Sequence, residues 1–207
     1  MRPFSEFGTT SRLQAKDGQN LGTMRRRIVL QAMAAGTAAL ITGRSGVAGL
    51  SATGRDAEGP FYPVAPIPIR ESLIVNAEHR GRRLSFSGRV LLLNGSPVSG
   101  CKVEIWQCDA NKVYHHPAVF DASKADPNFL GFGAQVSNDV GAYSFSTIVP
   151  VGYFGRPPHI HVKLWLNGTE TLTTQVYLVG MGGAHSRQMA PRSDGDEFEA
   201  KFDLVLG

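Results

Sequence analysis

Short stretches in which apolar and polar residues alternate recur along the chain from residue 84 onward. From Leu84 to Leu92 every second residue is apolar or glycine, which is the period of a β-strand with one buried face. Similar patterns predict five further strands, at residues 103–107, 141–148, 160–165, 173–179 and 199–206. Turn residues separate some of them, at Asn138-Asp139 and Asn167-Gly168. No stretch of a dozen residues after residue 53 has helical periodicity, so the sequence predicts an all-β fold, a β-sandwich with long loops.

A proline-rich segment precedes these strands. Residues 56–63 read Asp-Ala-Glu-Gly-Pro-Phe-Tyr-Pro, and two more prolines follow at positions 66 and 68. Proline donates no backbone hydrogen bond and breaks helices, so this segment is neither an internal helix nor a central strand. We expect an irregular arm that lies on the domain surface or crosses a cleft.

Residues 1–52 have the pattern of an export leader. Three arginines at positions 25–27 precede sixteen uncharged residues, 28–43, and small residues follow. The uncharged run is shorter than the roughly 20 residues that span a bilayer. The order Arg26-Arg27-Ile28-Val29-Leu30-Gln31 resembles a twin-arginine signal, with Val29 where those signals usually have phenylalanine.

The leader pattern predicts two regions, a leader at 1–52 and a globular domain at 53–207. It also predicts export to the periplasm or the cell exterior, with an uncleaved signal as the only membrane attachment. The alternative is that residues 1–52 form an ordinary basic amphipathic helix or a retained anchor.

The distribution of charge argues against nucleic acid as a partner. The 207-residue chain has a formal net charge of +4, but 7 of its 21 basic residues and only 2 of its 17 acidic residues lie in residues 1–52. The remaining domain therefore carries 14 basic and 15 acidic residues. Without a basic excess, this domain lacks the electrostatic basis for binding a phosphate backbone.

The two cysteines do not have the spacing of a disulfide. Cys101 and Cys108 lie on one extended segment, where a separation of seven residues corresponds to about 23 Å. We expect two small, buried, unpaired thiols.

A histidine pair, His159 and His161, is the first candidate for chemistry. Residues two apart on a strand point to the same face, so both imidazoles could reach one metal ion. Imidazole alone does not identify the metal, because zinc, copper, iron and nickel all accept it. A structural or surface histidine pair is the alternative interpretation.

Five segments together carry a family resemblance. They are Glu58–Pro63, Val103–Ala110 followed by Tyr114, Gly141–Ile148, Tyr153 with Arg156–His161, and Thr174–Tyr177. In this order they closely resemble the intradiol ring-cleavage dioxygenases, and among these the protocatechuate 3,4-dioxygenase type with its exported, single-domain members. The resemblance extends from about residue 56 to the end of the chain.

This resemblance implies an enzyme that opens a catechol-type ring with dioxygen, between the two hydroxyl-bearing carbons, to give a muconate-type dicarboxylate. It implies a mononuclear, non-haem Fe(III) held by Tyr114, Tyr153, His159 and His161. Ferric iron is a hard trication that prefers phenolate oxygens to sulfur ligands, and two phenolates with a hydroxide would neutralise its charge. Tyr153 is implied to leave the metal when the catechol binds and to accept one of its protons.

The resemblance also implies roles for four residues around the metal. Arg156 would stabilise negative charge on the substrate ring, unless it is a surface arginine paired with a carboxylate. Gln175 would orient Arg156 or the substrate. Gly59 and Pro60 would line the substrate pocket, although hydrophobic docking of the arm explains them equally well.

Two further residues receive a structural interpretation. Trp106 is assigned to the core and not to chemistry. Lys112 stands in the turn before Tyr114, where relatives usually have glycine. It either tilts Tyr114 or changes only a surface turn.

Two other functional classes stay open at this point. One is a non-catalytic, transthyretin-like β-sandwich that binds aromatic ligands. The other is a hydrolytic or redox site in which the two histidines hold zinc or copper. The presence of all four expected ligands favours the dioxygenase, but the sequence leaves open the substituents of the substrate and the association of copies into a homo-oligomer.

Overall fold

The described part of the chain forms two five-stranded β-sheets. The computed structural model describes residues 49–179, 188–194 and 197–207. One sheet contains β1 (Arg83–Leu92), β4 (Ala142–Ile148), β8 (Arg192–Asp194), β9 (Glu197–Lys201) and β10 (Leu204–Leu206). The other contains β2 (Lys102–Trp106), β3 (Phe132–Val136), β5 (His159–Leu166), β6 (Thr169–Leu178) and β7 (Gln188–Met189). Within the described residues the only helical segment is one 3-10 turn, Ala122–Lys124, so the predicted all-β sandwich is confirmed.

The second sheet has the strand order β3-β2-β5-β6-β7 and carries the candidate chemistry. Its β5–β6 hairpin turns at Asn167-Gly168, the position predicted for a turn. The φ angles of these two residues, 52° and 78°, are typical of a type I′ turn. The strand register places His159 opposite Tyr177 and His161 opposite both Gln175 and Trp106. The polar residues of three strands therefore lie side by side at one end of this sheet.

The first sheet is built around β1, which pairs antiparallel with β4 and parallel with β9 and β10. The predicted single strand at 199–206 is wrong, because β9 and β10 are separated at Phe202 and Asp203. The Phe202 carbonyl oxygen accepts a hydrogen bond from Tyr143 Oη (2.6 Å), and the Asp203 carboxylate accepts one from the backbone N–H of Arg89 (2.9 Å). Side chains thus bond the Phe202 carbonyl and the Arg89 N–H, two backbone groups that would otherwise be available for hydrogen bonds between strands.

The core lies between the two sheets and is made of the apolar faces of both. Its largest fully buried side chains include Phe86 and Phe145 from the first sheet, and Ile105, Ile160 and Leu164 from the second. The inner faces of the two sheets pack together as in other β-sandwiches. Strands β3, β7 and β8 were not predicted from the sequence pattern.

The alternation in β1 holds only as far as Val90. Leu91 is 3% exposed and Leu92 is 42% exposed, so the prediction that Leu92 faces the core is wrong. The change coincides with the point at which the parallel neighbour of β1 becomes β10 in place of β9.

The two cysteines are free and buried, as predicted. Nearly all of the predicted leader, residues 1–48, lies outside the described residues, so its boundary at residue 52 stays a prediction. No helix in the described ranges is long and apolar enough to cross a bilayer.

The close approach of two chain segments at Gly88 generates a prediction about stability. A Cβ atom at this position would lie 1.9 Å from the carbonyl oxygen of Phe202. We expect Gly88→Ala to lower the free energy of unfolding by about 3 kcal/mol, because backbone has to move to admit the methyl group. Urea denaturation measures the loss.

Gly95→Ala is the matched control, because a Cβ at Gly95 meets nothing within 4 Å although φ is 82°. It should lose only about 1 kcal/mol, the ordinary cost of a left-handed alanine. Equal losses for the two variants would contradict the proposed crowding at Gly88.

Candidate metal centre

Four side chains from three segments meet at one end of the second sheet. His159 Nε2 lies 3.1 Å from His161 Nε2, and the hydroxyl of Tyr114 lies 3.3 Å and 3.1 Å from these two nitrogens. The hydroxyl of Tyr153 lies 3.4 Å from that of Tyr114. The structure thus brings together all four residues that the sequence suggested as ligands, and we call them the Tyr/His cluster.

The loop after β2 carries Tyr114 and is held by a buried carboxylate. Asp109 Oδ1 accepts hydrogen bonds from the backbone N–H groups of Asn111 and Val113, both at 2.9 Å. Its Oδ2 accepts a third from the N–H of Asp126 at 2.6 Å. Because one fully buried side chain satisfies three backbone donors, the loop enters the site in a defined conformation.

Tyr153 stands at the start of a tight turn between β4 and β5. The backbone groups of Tyr153 and Arg156 bond reciprocally, with N···O distances of 3.2 Å and 2.7 Å. Phe154 and Gly155, the two central residues, have φ angles of 43° and 76°, as in a type I′ turn. The turn places Tyr153 and Arg156 at the same edge of the cluster.

The histidines are neutral and one tautomer follows from the hydrogen bonding. His159 Nδ1 lies 2.6 Å from the carbonyl oxygen of Pro157, which can only accept, so Nδ1 carries the proton and the lone pair of Nε2 faces the cluster. Burial lowers the pKa of His159, more than this hydrogen bond raises it, and the charge of Arg156 lowers it further. The pKa of His161 lies well below its usual value because of burial, then of His159 and Arg156. Neutral imidazole is the form that binds metal ions.

Tyr114 needs a positive charge nearby to become a phenolate. It is 3% exposed, and burial, followed by its hydrogen bond with Tyr153, raises its pKa far above the usual value. The charge of Arg156 acts in the opposite direction but is the weaker effect. A cation bound at the cluster would lower the pKa of the phenol, as metals do for their bound ligands.

The donor set fits one metal ion. Two ligands bonded to one metal ion at about 2.1 Å, at right angles or slightly wider, lie roughly 3 Å apart. The distances from Tyr114 Oη to Tyr153 Oη and to both histidine Nε2 atoms, and between the two Nε2 atoms, are close to this value at 3.1–3.4 Å. Two imidazole nitrogens and two phenol oxygens form a donor set without sulfur. Over the described residues, no group of three or more His, Cys, Asp or Glu side chains offers a competing site.

Comparisons with known proteins place the chain among dioxygenases. Residues 57–156 match the family model described as Dioxygenase. The chain is 36% identical over 140 residues to the protocatechuate 3,4-dioxygenase beta chain of Burkholderia cepacia, and 32% identical over 139 residues to catechol 1,2-dioxygenase of Candida albicans. These matches cover 61% and 58% of this chain and 59% and 45% of the relatives. The chain thus spans about half the length of the curated relatives it matches.

A solved structure covers the domain more completely. The dioxygenase domain of a dioxygenase carbohydrate-binding protein fusion from Streptomyces sp. SirexAA-E is 32% identical to this chain, with a TM-score of 0.65. The match includes 75% of this chain and 98% of that domain. The chain belongs to the intradiol ring-cleavage dioxygenase family. This finding confirms the resemblance that the sequence motifs carried.

In this member of the intradiol family, Arg156 and Gln175 are in direct contact, as the sequence suggested. Arg156 Nη2 donates to Gln175 Oε1 at 2.5 Å, and Gln175 Nε2 donates to the carbonyl oxygen of Ala57 at 2.7 Å. The hydroxyl of Tyr177 lies 3.1 Å from the same Oε1 and 2.9 Å from Asp56 Oδ2. Neither Tyr177 nor Asp56 was predicted as a positioning residue, although Tyr177 ends the last of the five family segments and Asp56 begins the proline-rich segment.

The proline-rich arm crosses the site and is fastened there. Gly59 lies directly against His161, since a Cβ at position 59 would be 3.3 Å from His161 Cε1. Pro60 is exposed, and its neighbour Phe61 reaches the cluster by stacking on Tyr114 at 4.8 Å between ring centroids. The arm therefore crosses the cleft, which is one of the two positions predicted for it.

Trp106 also forms part of the wall of the cluster. Its ring is 1% exposed and stacks on His161, with centroids 4.7 Å apart and planes at 10°. Trp106 is buried, as its assignment to the core predicted, but its stacking on His161 was not predicted. Only the pairing of β2 with β5 places Trp106 beside His161, and the sequence does not specify that register.

Ion pairs between a buried lysine and two partly exposed carboxylates fasten the arm next to Gly59. Lys163 Nζ bonds Glu58 Oε2 and lies 3.2 Å from Glu170 Oε2, while only 4% of the lysine side chain is exposed. Burial lowers the pKa of Lys163, but the hydrogen bonds that the ammonium donates to these two carboxylates outweigh that effect and raise the pKa. The lysine stays charged and holds the arm against β5 and β6.

The role of Asp109 can be tested by removing its carboxylate. Asp109→Ala leaves one buried and two partly buried N–H groups without this partner, so we expect a loss of about 2–4 kcal/mol in the free energy of unfolding. Urea denaturation measures it. Asp139→Ala, whose exposed carboxylate accepts one hydrogen bond from Ser99, should change stability by less than about 0.5 kcal/mol. A similar small change at Asp109 would refute the anchoring role.

Proposed function

We propose that the protein is a mononuclear, non-haem Fe(III) dioxygenase that cleaves a catechol-type ring between its two hydroxyl-bearing carbons and forms a muconate-type dicarboxylate. The convergence of two phenol oxygens and two imidazole nitrogens carries this proposal, since Tyr114 Oη lies 3.1–3.4 Å from Tyr153 Oη, His159 Nε2 and His161 Nε2. The relatives named as catechol 1,2- and protocatechuate 3,4-dioxygenases support the choice of substrate class.

The four residues of the Tyr/His cluster would hold the iron. The hard phenolate oxygens of Tyr114 and Tyr153 suit a trivalent ion, and the neutral histidines add no charge to be compensated. Bound ferric iron supplies a Lewis acid for the catechol oxygens and an acceptor for electrons of the ring. The other contributions to the reaction come from residues of the chain.

Tyr153 is the residue proposed to take up a proton from the substrate. It is half-buried, whereas the other three cluster residues are buried, and it stands in a turn open to solvent. It lines a cavity of about 260 Å³, close to the lower limit of typical small-molecule sites, which suits a single-ring substrate. A catechol hydroxyl arriving from this cavity would meet Tyr153 Oη, and the phenolate oxygen would accept its proton.

Arg156 is proposed to stabilise negative charge on the bound substrate. Its positive charge lowers the pKa of Tyr114, His159 and His161, so its field extends over the cluster. Gln175 fixes the guanidinium group, because its own amide is oriented by Ala57 and Tyr177. A preoriented cation of this kind stabilises a developing anion without reorganising during the reaction.

A non-catalytic binding module is less well supported. Gathering three buried and one half-buried polar side chain with their polar atoms directed at one another is unfavourable without a cation or a proton network, and aromatic binding does not require it. Oxygen uptake separates the two functions, since a binding module would show affinity for catechols without consuming dioxygen.

Export is proposed on the N-terminal sequence pattern alone. The arginines at 25–27 and the uncharged run at 28–43 support a twin-arginine-like leader. Cell fractionation of the full chain, compared with a variant carrying Lys at positions 26 and 27, tests it. Equal distribution of the two proteins would contradict this route.

The iron site makes a prediction about colour. We expect protein purified with iron to absorb visible light through tyrosinate-to-iron charge transfer, and chelation to remove both the colour and oxygen uptake with catechol. Tyr114→Phe should weaken or shift the band, because one phenolate is lost. Absorption spectra and metal analysis are the measurements, and colourless protein with stoichiometric iron would contradict the assignment.

The role of Arg156 gives a second prediction for catalysis. We expect Arg156→Gln to lower kcat about 100-fold, as removal of one preorganised donor does elsewhere, with iron content and colour retained. Arg192→Gln, on β8 of the other sheet, is the control and should keep the wild-type kcat. Initial rates of oxygen uptake measure both variants. A kcat for Arg156→Gln within twofold of the wild type would remove this residue from the mechanism.

A further inference from the structure

The cavity beside Tyr153 has aromatic walls. Its lining includes five aromatic rings: Phe61, Tyr114, Phe120, Tyr153 and Phe154. The side chains of Phe120 and Phe154 are almost completely exposed, at 104% and 94%. Two exposed phenylalanines on the wall of one cavity leave apolar surface that a ligand longer than a single ring would cover.

The charged residues of the same cavity do not balance. Its lining contains Lys112, Lys124 and Asp121. Lys124 Nζ lies 3.3 Å from Asp121 Oδ2, which pairs one lysine with the one carboxylate. Among the described residues, no carboxylate lies within ion-pair distance of Lys112. The wall therefore presents one positive charge without a protein partner, next to apolar rings.

Backbone conformation marks the same wall. In the described ranges, three residues other than glycine have positive φ: Lys112 (69°), Phe154 (43°) and Asn167 (52°). Asn167 is the ordinary turn residue of the β5–β6 hairpin, and asparagine tolerates this conformation well. Lysine and phenylalanine do not, and glycine would be less strained at both positions. Two side chains are thus kept at a conformational cost where they line one cavity, which indicates a role there.

We propose that the substrate of this site is a catechol whose ring carries a side chain ending in a carboxylate. The apolar part of that side chain covers Phe154 and Phe120, and the carboxylate pairs with Lys112. This inference rests on the proposed dioxygenase function and names the substrate class of the same cavity. Lys112 is the specificity-determining residue, because it supplies the only uncompensated charge on the described cavity wall.

A matched pair of substrates isolates the charge. The probes are 3-(3,4-dihydroxyphenyl)propionate and its methyl ester, which share the ring and the apolar chain, with plain catechol as the reference. For the iron-loaded full chain we expect kcat/KM to be about threefold to fivefold higher for the acid than for the ester, as for one ion pair at an exposed lysine. Added salt should reduce this ratio, because it screens the ion pair.

The variants distinguish recognition from folding. Lys112→Gly should bring the acid-to-ester ratio close to 1 and leave the urea midpoint equal or higher, because glycine suits a φ of 69°. Lys112→Gln removes the charge while keeping a long side chain, and should have the same effect on the ratio. Lys112→Glu should favour the ester. Lys201→Gln, on β9 of the other sheet, should keep the wild-type ratio.

Each outcome decides a separate point. A wild-type ratio near 1, or a ratio that Lys112→Gly and Lys112→Gln leave unchanged, would overturn the role of Lys112 while oxygen uptake with catechol upholds the dioxygenase. No oxygen uptake with any probe by iron-loaded protein would overturn the proposed function. In that case anaerobic calorimetry with the acid and the ester still tests Lys112. The assignment of Lys112 to the carboxylate survives only if the wild type binds the acid more tightly than the ester and both Lys112→Gly and Lys112→Gln lose this preference.

Discussion

The structure depends on gathering four polar side chains in a largely buried position, where the Tyr114 hydroxyl lies 3.1–3.4 Å from the polar atoms of Tyr153, His159 and His161. Such groups lose their water, so they have to be satisfied by one another or by a bound cation. The two histidines are placed by strand β5, whereas the two tyrosines come from loops that need their own supports. Asp109 supports one loop through three backbone hydrogen bonds, and the turn from Tyr153 to Arg156 supports the other.

The proline-rich arm closes the site because its contacts with the second sheet follow one another residue by residue. Six of its seven residues from 56 to 62 make these contacts with groups at or behind the cluster: Asp56 with Tyr177, Ala57 with Gln175, Glu58 with Lys163, Gly59 with His161, Phe61 with Tyr114, and Tyr62 with Glu104. The arm has no regular secondary structure of its own. Its position is determined by these side-chain contacts, and the same contacts orient Gln175 and through it Arg156.

Local pattern located strands in both sheets, including β5 and β6, which are buried on both faces over most of their length. The two-residue alternation of apolar and polar positions predicted β1, β4, β5 and β6 close to their observed bounds. The turn residues Asn167-Gly168 marked the hairpin between β5 and β6. The prediction failed where partners outside the strand decide its conformation. The break at Phe202 and Asp203 depends on bonds to Tyr143 and Arg89, which lie some 60 and 114 residues away along the chain. No local pattern contains that information.

The sequence by itself determined the strand pattern, the unpaired cysteines, the histidine pair on one strand face and, through its motifs, the family and the four candidate ligands. The tertiary structure decided the contacts between segments: Trp106 against His161, Phe61 on Tyr114, Tyr177 behind Gln175, and the two lysines of the cavity wall, one paired and one not. The reason is physical. Alternation and turn chemistry act over a few residues, whereas strand register and the path of the arm are set by packing between residues far apart in the chain.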